Sequence, residues 1–277
     1  MSVIFNKLKT FIKAIVERYG KHDVAQTAGQ IAYFGFLSLF PFIVFVNFLL
    51  HKLHLSTVDI AAVLNPVFPQ DIVEFLTSYM DYIANQNSLG VLSIGVISTV
   101  YLASRVIRSM EQAVAKAYDI NADRTFVSSV MVSAVAVICI ALMLAAAAMF
   151  IVFSKKPVNF LLSILGLSDM VVAVLFLKWA FVIFVMLMVF ALIYKLLPNK
   201  KTTFKSVVPG TVFSLVCFMV LSVGFGWYVG FAAGSSSVYG YIGTVFIALV
   251  WIYFVGVIFI IGAEINGYFD SIKGRNY

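Results

Sequence analysis

The sequence predicts an all-α fold: a polytopic integral membrane protein built as a bundle of about six transmembrane helices, preceded by an N-terminal amphipathic helix. Three observations carry this. Hydrophobic residues make up 62% of the 277-residue chain and charged residues 11%, against about a quarter charged in a typical soluble domain, and the mean hydropathy is +1.04. The apolar residues gather into runs long enough to cross ~30 Å of hydrocarbon at ~1.5 Å per residue. The basic residues are concentrated in alternate connections between those runs. A membrane core has no water to satisfy backbone groups, so runs of this length read as helices, which close their own hydrogen bonds.

Residues 1–24 form the first element. Ile4, Leu8, Phe11, Ile12, Ile15 and Tyr19 recur at helical spacing with Lys7, Lys9, Lys13 and Arg18 between them, the pattern of an amphipathic helix on the inner membrane surface. A plain cytoplasmic helix packed on the bundle has the same pattern. Residues 25–277 read as one transmembrane domain, with spans at about 30–50, 89–108, 126–153, 170–197, 206–232 and 239–267. The second is the weakest, because its uncharged part, Leu89 to Ser104, is short for a full crossing. The connection from His51 to Ser88 is the longest of those facing outward. It is acidic through Asp59, Asp71, Glu74 and Asp81, and Ile72, Phe75, Leu76, Tyr79 and Ile83 are spaced helically within it. One or two short helices over the outer face are expected there, with Pro66 and Pro69 breaking the chain before them.

Charge fixes the expected orientation. Lys7, Lys9, Lys13, Arg18 and Lys21 precede the first span, Arg105, Arg108, Lys116 and Arg124 surround the second connection, Lys195, Lys200, Lys201 and Lys205 the fourth, and Lys273 and Arg275 close the chain. Lys52, Lys155 and Lys156 fall on the other side, and Lys178 lies within the fourth span. The positive-inside rule then places both termini in the cytoplasm.

Signs of enzyme chemistry are absent from the sequence. Cys139 and Cys217 sit in apolar runs as packing residues, and His51 and His54 lack a third metal ligand nearby. No phosphate loop, nucleophile elbow or helical metal motif occurs. No cleavable signal, cofactor, metal or nucleic-acid partner is expected, and the basic residues are explained by topology.

Polar residues inside spans are informative because hydrocarbon penalises them unless they are paired or face a cavity. Gln30 and Tyr33 open the first span, Arg105 and Arg108 close the second, and Glu264 and Asn266 close the sixth, all at the cytoplasmic end. An ion pair of Glu264 with Arg105 or Arg108, supported by Gln30 and Asn266, would make a packing clamp; the same residues could form a gate at the inner mouth. Lys178 lies near mid-span without a carboxylate at comparable depth in another span. Its side chain either snorkels or loses its charge, or it meets an anionic substrate in a groove.

Two blocks carry a family resemblance. Ala32-Tyr33 through Ser38-Leu39-Phe40-Pro41, and Tyr239-Gly240 through Trp251-Ile252-Tyr253 to Gly262-Ala263-Glu264-Ile265-Asn266, resemble the opening and closing motifs of the YihY/BrkB family of bacterial inner-membrane proteins. The likeness covers nearly the whole chain. It departs at Ala117, before Tyr118, where many relatives have Asn. The resemblance implies a six-helix membrane protein whose members have been labelled a ribonuclease, serum-resistance factors and transporters, including of lipids. RNA hydrolysis is disfavoured, since no acid, base or metal set is visible. The sequence therefore points to a transporter of a lipid or another amphipathic or anionic substrate, with membrane lipids as partners. A non-transporting scaffold or envelope-integrity protein is the alternative, and the oligomeric state is open.

Overall fold

The structure is a computed structural model that describes residues 2–53, 70–84, 89–120, 128, 131, 171–198, 202–233 and 240–274. Among these it contains seven long helices and no strand: α1 Ser2–Lys21, α2 Val24–Leu53, α3 Gln70–Ala84, α4 Leu89–Ala117, α5 Val171–Leu196, α6 Phe204–Ala233 and α7 Gly240–Gly274. The expected span 126–153 lies, apart from residues 128 and 131, outside the described residues. So do Pro66, Pro69 and His54. Three segments among the described residues are long and apolar enough to cross a membrane: Trp179–Leu196, Phe204–Tyr228 and Val245–Ile272. The second expected span is one unbroken helix that runs through Arg105 and Arg108 to Ala117. The two arginines therefore lie within α4, not at its end.

Helix α6 shows why this surface belongs in lipid. Val212, Val216, Val220, Val223 and Trp227 recur every three or four residues and are all exposed, Trp227 at 84%. In water so long an apolar stripe would be an unstable surface. The opposite stripe, Val207, Thr211, Ser214 and Phe218, is buried against neighbouring helices.

α2 packs most extensively on α4 and α7, and α7 also packs on α6. The starts of α2 and α6 meet the ends of α4, α5 and α7, so one end of the bundle collects most of the basic residues. A core cluster at this basic end joins Val24, Ala28, Val114, Tyr194, Val207, Phe259 and Ala263, among others. A second cluster, farther from that end, joins Phe36, Phe218, Phe225 and Trp251 to Leu76 and Met80 of α3. α3 is thus held by its own apolar face, within two residues of the segment expected to be helical.

Close approach depends on small residues. A β-carbon at Gly210 would collide with the Gly262 carbonyl and the Asn266 side chain, and one at Gly267 with the Ala117 carbonyl. Beside this crossing the buried Tyr194 hydroxyl lies 2.7 Å from both the Phe259 carbonyl and Ser214 Oγ, and Ser214 Oγ in turn lies 3.3 Å from the Ile258 carbonyl.

Helix α1 has three faces. Phe11, Ile15, Arg18 and His22 form the packed stripe, with Phe11 against Tyr268 and Phe269 of α7 at centroid distances of 5.3 and 5.8 Å. About 100° around the helix, at ~3.6 residues per turn, Phe5, Leu8, Ile12 and Val16 form a second apolar stripe that the bundle leaves exposed. Lys9, Lys13, Glu17 and Lys21 occupy the remainder, all exposed.

Candidate functional site

The basic end carries two separate polar constellations. The expected Glu264 clamp with Arg105 or Arg108 does not form. Glu264, 1% exposed, is held instead from α1 and the turn that follows it: Arg18 Nη1 donates to its Oε2 at 3.1 Å and His22 Nδ1 lies 2.6 Å from its Oε1. The reason is depth. Glu264 lies level with the end of α4, where Arg18 Nη1 also donates to the Ala117 carbonyl at 2.9 Å. Arg105 is twelve residues back along α4, ~18 Å away along the axis at ~1.5 Å per residue. Asn266 is no part of a clamp either. Its Oδ1 accepts the Gly210 N–H at 2.7 Å, one residue after Pro209, whose missing N–H weakens the local helix ladder.

Arg18 also completes the end of α4. There Ile120 N–H bonds Ala115 O at 3.0 Å and Asp119 N–H bonds Lys116 O at 3.1 Å, while Asp119 takes a left-handed φ of 51°. This is the Schellman arrangement, with Asp where glycine is usual. The guanidinium supplies positive charge at the negative end of the helix dipole. A second tie comes from Lys116 Nζ, 3.5 Å from Asp23 Oδ2 at the turn between α1 and α2.

The second constellation is a half-open groove of about 670 Å³ between the start of α2 and the last turns of α4. From α2 it is lined by Gln26, Gly29, Gln30, Tyr33 and Phe34, and from α4 by Arg105, Arg108, Ser109 and Gln112. Gln30, Tyr33, Arg105 and Arg108, expected to lie at one mouth, are therefore together. The mechanism of assembly is helical spacing: Gln26, Gly29, Gln30 and Tyr33 share one face of α2, and Arg105, Arg108 and Gln112 share one face of α4. The Arg105 guanidinium lies over the Phe34 ring, 5.2 Å from its centroid. Ser109 turns its hydroxyl back to the Arg105 carbonyl at 3.1 Å, and a β-carbon at Gly29 would meet open space. No carboxylate is among the lining residues. Among the described residues no three His, Cys, Asp or Glu side chains are grouped as metal ligands.

Lys178 belongs to α5, but its side chain is outside the described residues. Arg18, His22, Gln26, Phe34 and Gln112 were not anticipated as site residues. Helical spacing was the available signal: Arg18 and His22 continue the stripe of Phe11 and Ile15, and Gln112 lies one turn beyond Arg108.

Comparison with known proteins agrees with this architecture. A family model described as Virulence factor BrkB matches residues 15–275. The Bacillus subtilis ribonuclease-like protein YfkH is 31% identical over 95% of this chain and 96% of its own length. UPF0761 membrane proteins are more distant: that of Histophilus somni is 23% identical over 99% of this chain and 94% of its own, and that of Pseudoalteromonas atlantica 22% over 94% and 86%. No solved structure matches the chain. With the family pattern running through every described helix from the middle of α1 to the end of α7, the chain belongs to the BrkB family of membrane proteins.

Proposed function

We propose that the protein is a transporter that moves a lipid or another anionic amphiphile across the bacterial inner membrane, with both termini in the cytoplasm. The groove between α2 and α4 carries this reading. It combines guanidinium and amide donors at one end of the bundle with an opening on the surface, where a polar group could enter from the side. The chemistry it offers suits recognition, not hydrolysis. Guanidinium groups that stay protonated and neutral amides supply no general base, and the ribonuclease-like name of one relative finds no acid–base pair in the groove.

The test is flux. The purified protein in vesicles should accelerate transbilayer movement of a fluorescent anionic lipid over protein-free vesicles, read by dithionite quenching from outside. Lys178→Met should fold yet lower the rate, and Lys178→Arg should retain part of it. A parent rate equal to that of empty vesicles would overturn the transport reading in favour of a scaffold.

A further inference from the structure

We propose that the outward side of α1 docks on an anionic phospholipid leaflet, its apolar stripe entering the leaflet boundary and the lysines beside that stripe meeting the lipid phosphates. This surface is separate from the α2–α4 groove, and the inference does not depend on transport.

The level of α1 comes first. Its partners on α7, Glu264, Tyr268 and Phe269, lie in the last turns of the apolar segment Val245–Ile272. α1 is therefore fastened where a membrane-spanning helix leaves hydrocarbon for the headgroups. Its orientation follows from the angle between two stripes. Phe11, Ile15 and Arg18 face the bundle, while Phe5, Leu8, Ile12 and Val16 lie about 100° around the axis, at 69%, 54%, 53% and 65% exposure. A helix lying in the interface beside a bundle needs this division, with one side on the protein wall and the adjoining side on acyl chains. A helix standing clear of the membrane would keep four large apolar side chains in water.

Charge selects the occupant. Lys7, Lys9, Lys13 and Lys21 are all exposed, and Glu17 is the one acid in α1. Glu17 lies 3.7 Å from Lys13 with both side chains in solvent, a pair that holds little. Lys9 and Lys13 border the apolar stripe on the side away from the bundle. Once the stripe is inserted they reach the headgroups, since a lysine stem lies along apolar surface while its ammonium stays outside. A second copy of the chain offers no matching charge, because its own α1 carries the same four lysines and one acid. An anionic leaflet offers negative charge along this edge and hydrocarbon beneath it.

The test is hydrogen–deuterium exchange of the full-length protein in nanodiscs of phosphatidylcholine alone and of phosphatidylcholine with phosphatidylglycerol. Amides of residues 5–16 should exchange about tenfold more slowly in the anionic discs, the scale set by lysines near a charged surface when one of them is shared with Glu17. Added salt should shrink the difference. Lys9→Gln/Lys13→Gln should remove the difference and keep the phosphatidylcholine rate, whereas Leu8→Ser/Ile12→Ser should speed exchange in both discs. Lys205→Gln, on α6, should behave as the parent. Exchange within α6 and α7, read in the same samples, reports whether each variant is folded, and the parent in the two discs decides the matter where a variant is not. Equal α1 exchange of the parent in both discs would overturn the proposal. So would a disulfide between copies at Ile12→Cys, in a background without the native cysteines, because it would give the stripe to a second copy.

Discussion

The most consequential residue is Glu264, a carboxylate almost fully removed from solvent between Arg18 and His22. Desolvating it is tolerable only with both partners present, and removing one side of such a pair costs on the order of 3 kcal/mol. Glu264→Gln should lower thermal stability in detergent far more than the exposed Glu17→Gln. Combined with Arg18→Gln its effect should be less than additive, and combined with Arg105→Gln additive; the reverse pattern would show that the pairing is misassigned. Tyr118 illustrates an opposite economy. Among the described residues its buried hydroxyl has no hydrogen-bond partner, and burial, with the Asp270 carboxylate adding, pushes its ionisation well above the ordinary tyrosine value. The folded protein keeps a proton that the unfolded chain releases above pH about 10, so stability from this group is lost as pH rises beyond that point. Tyr118→Phe should be neutral to stabilising near pH 7 and should unfold at a higher pH than the parent in an alkaline titration. Earlier alkaline unfolding of the Phe variant would contradict this.

Among the elements, α6 and α7 are joined by the absence of side chains. Because a β-carbon at Gly210 would strike the Gly262 carbonyl, and one at Gly224 would meet nothing, Gly210→Ala should destabilise by about 3 kcal/mol or more and Gly224→Ala should not. Thermal unfolding in one detergent compares them directly. Helix α1 makes a different prediction. Its exposed stripe of Phe5, Leu8, Ile12 and Val16 is turned away from the bundle, so a spin label at Ile12→Cys, in a background without the native cysteines, should be more accessible to oxygen than to a water-soluble nickel chelate. A label at Lys13→Cys should show the opposite order; the same order at both would remove α1 from the membrane surface. The sequence made α1 legible as amphipathic, but its apolar positions did not separate into the stripe that grips α7 and the stripe that does not. Both stripes are written in the same residue types. Only packing tells them apart.

For the whole molecule, the helix pattern was largely readable because apolar runs and basic flanks are one-dimensional signals. α3 and the five long helices that overlap expected spans fall where periodicity put them. The groove was half readable for the same reason, since Gln30, Tyr33, Arg105 and Arg108 stand out as polar residues in apolar runs. The partner of Glu264 was not, because choosing among arginines requires knowing how far each helix continues past its first charge. Topology remains testable in the intact membrane: impermeant labelling should find Asp71 and Ser236 outside and Lys116 and Lys200 inside, and external labelling of Lys200 would break the six-span scheme. The contact between Arg18 and Glu264 spans 246 positions, and this has a meaning for biogenesis. The ribosome delivers α1 before α7, so the buried pair cannot close until the helices between them and α7 itself have been made. Until then Arg18 and His22 lack their carboxylate. A nascent chain stopped before α7 should remain sensitive to membrane proteases, and one stopped after it should become resistant, which makes this ion pair a marker of the arrival of α7.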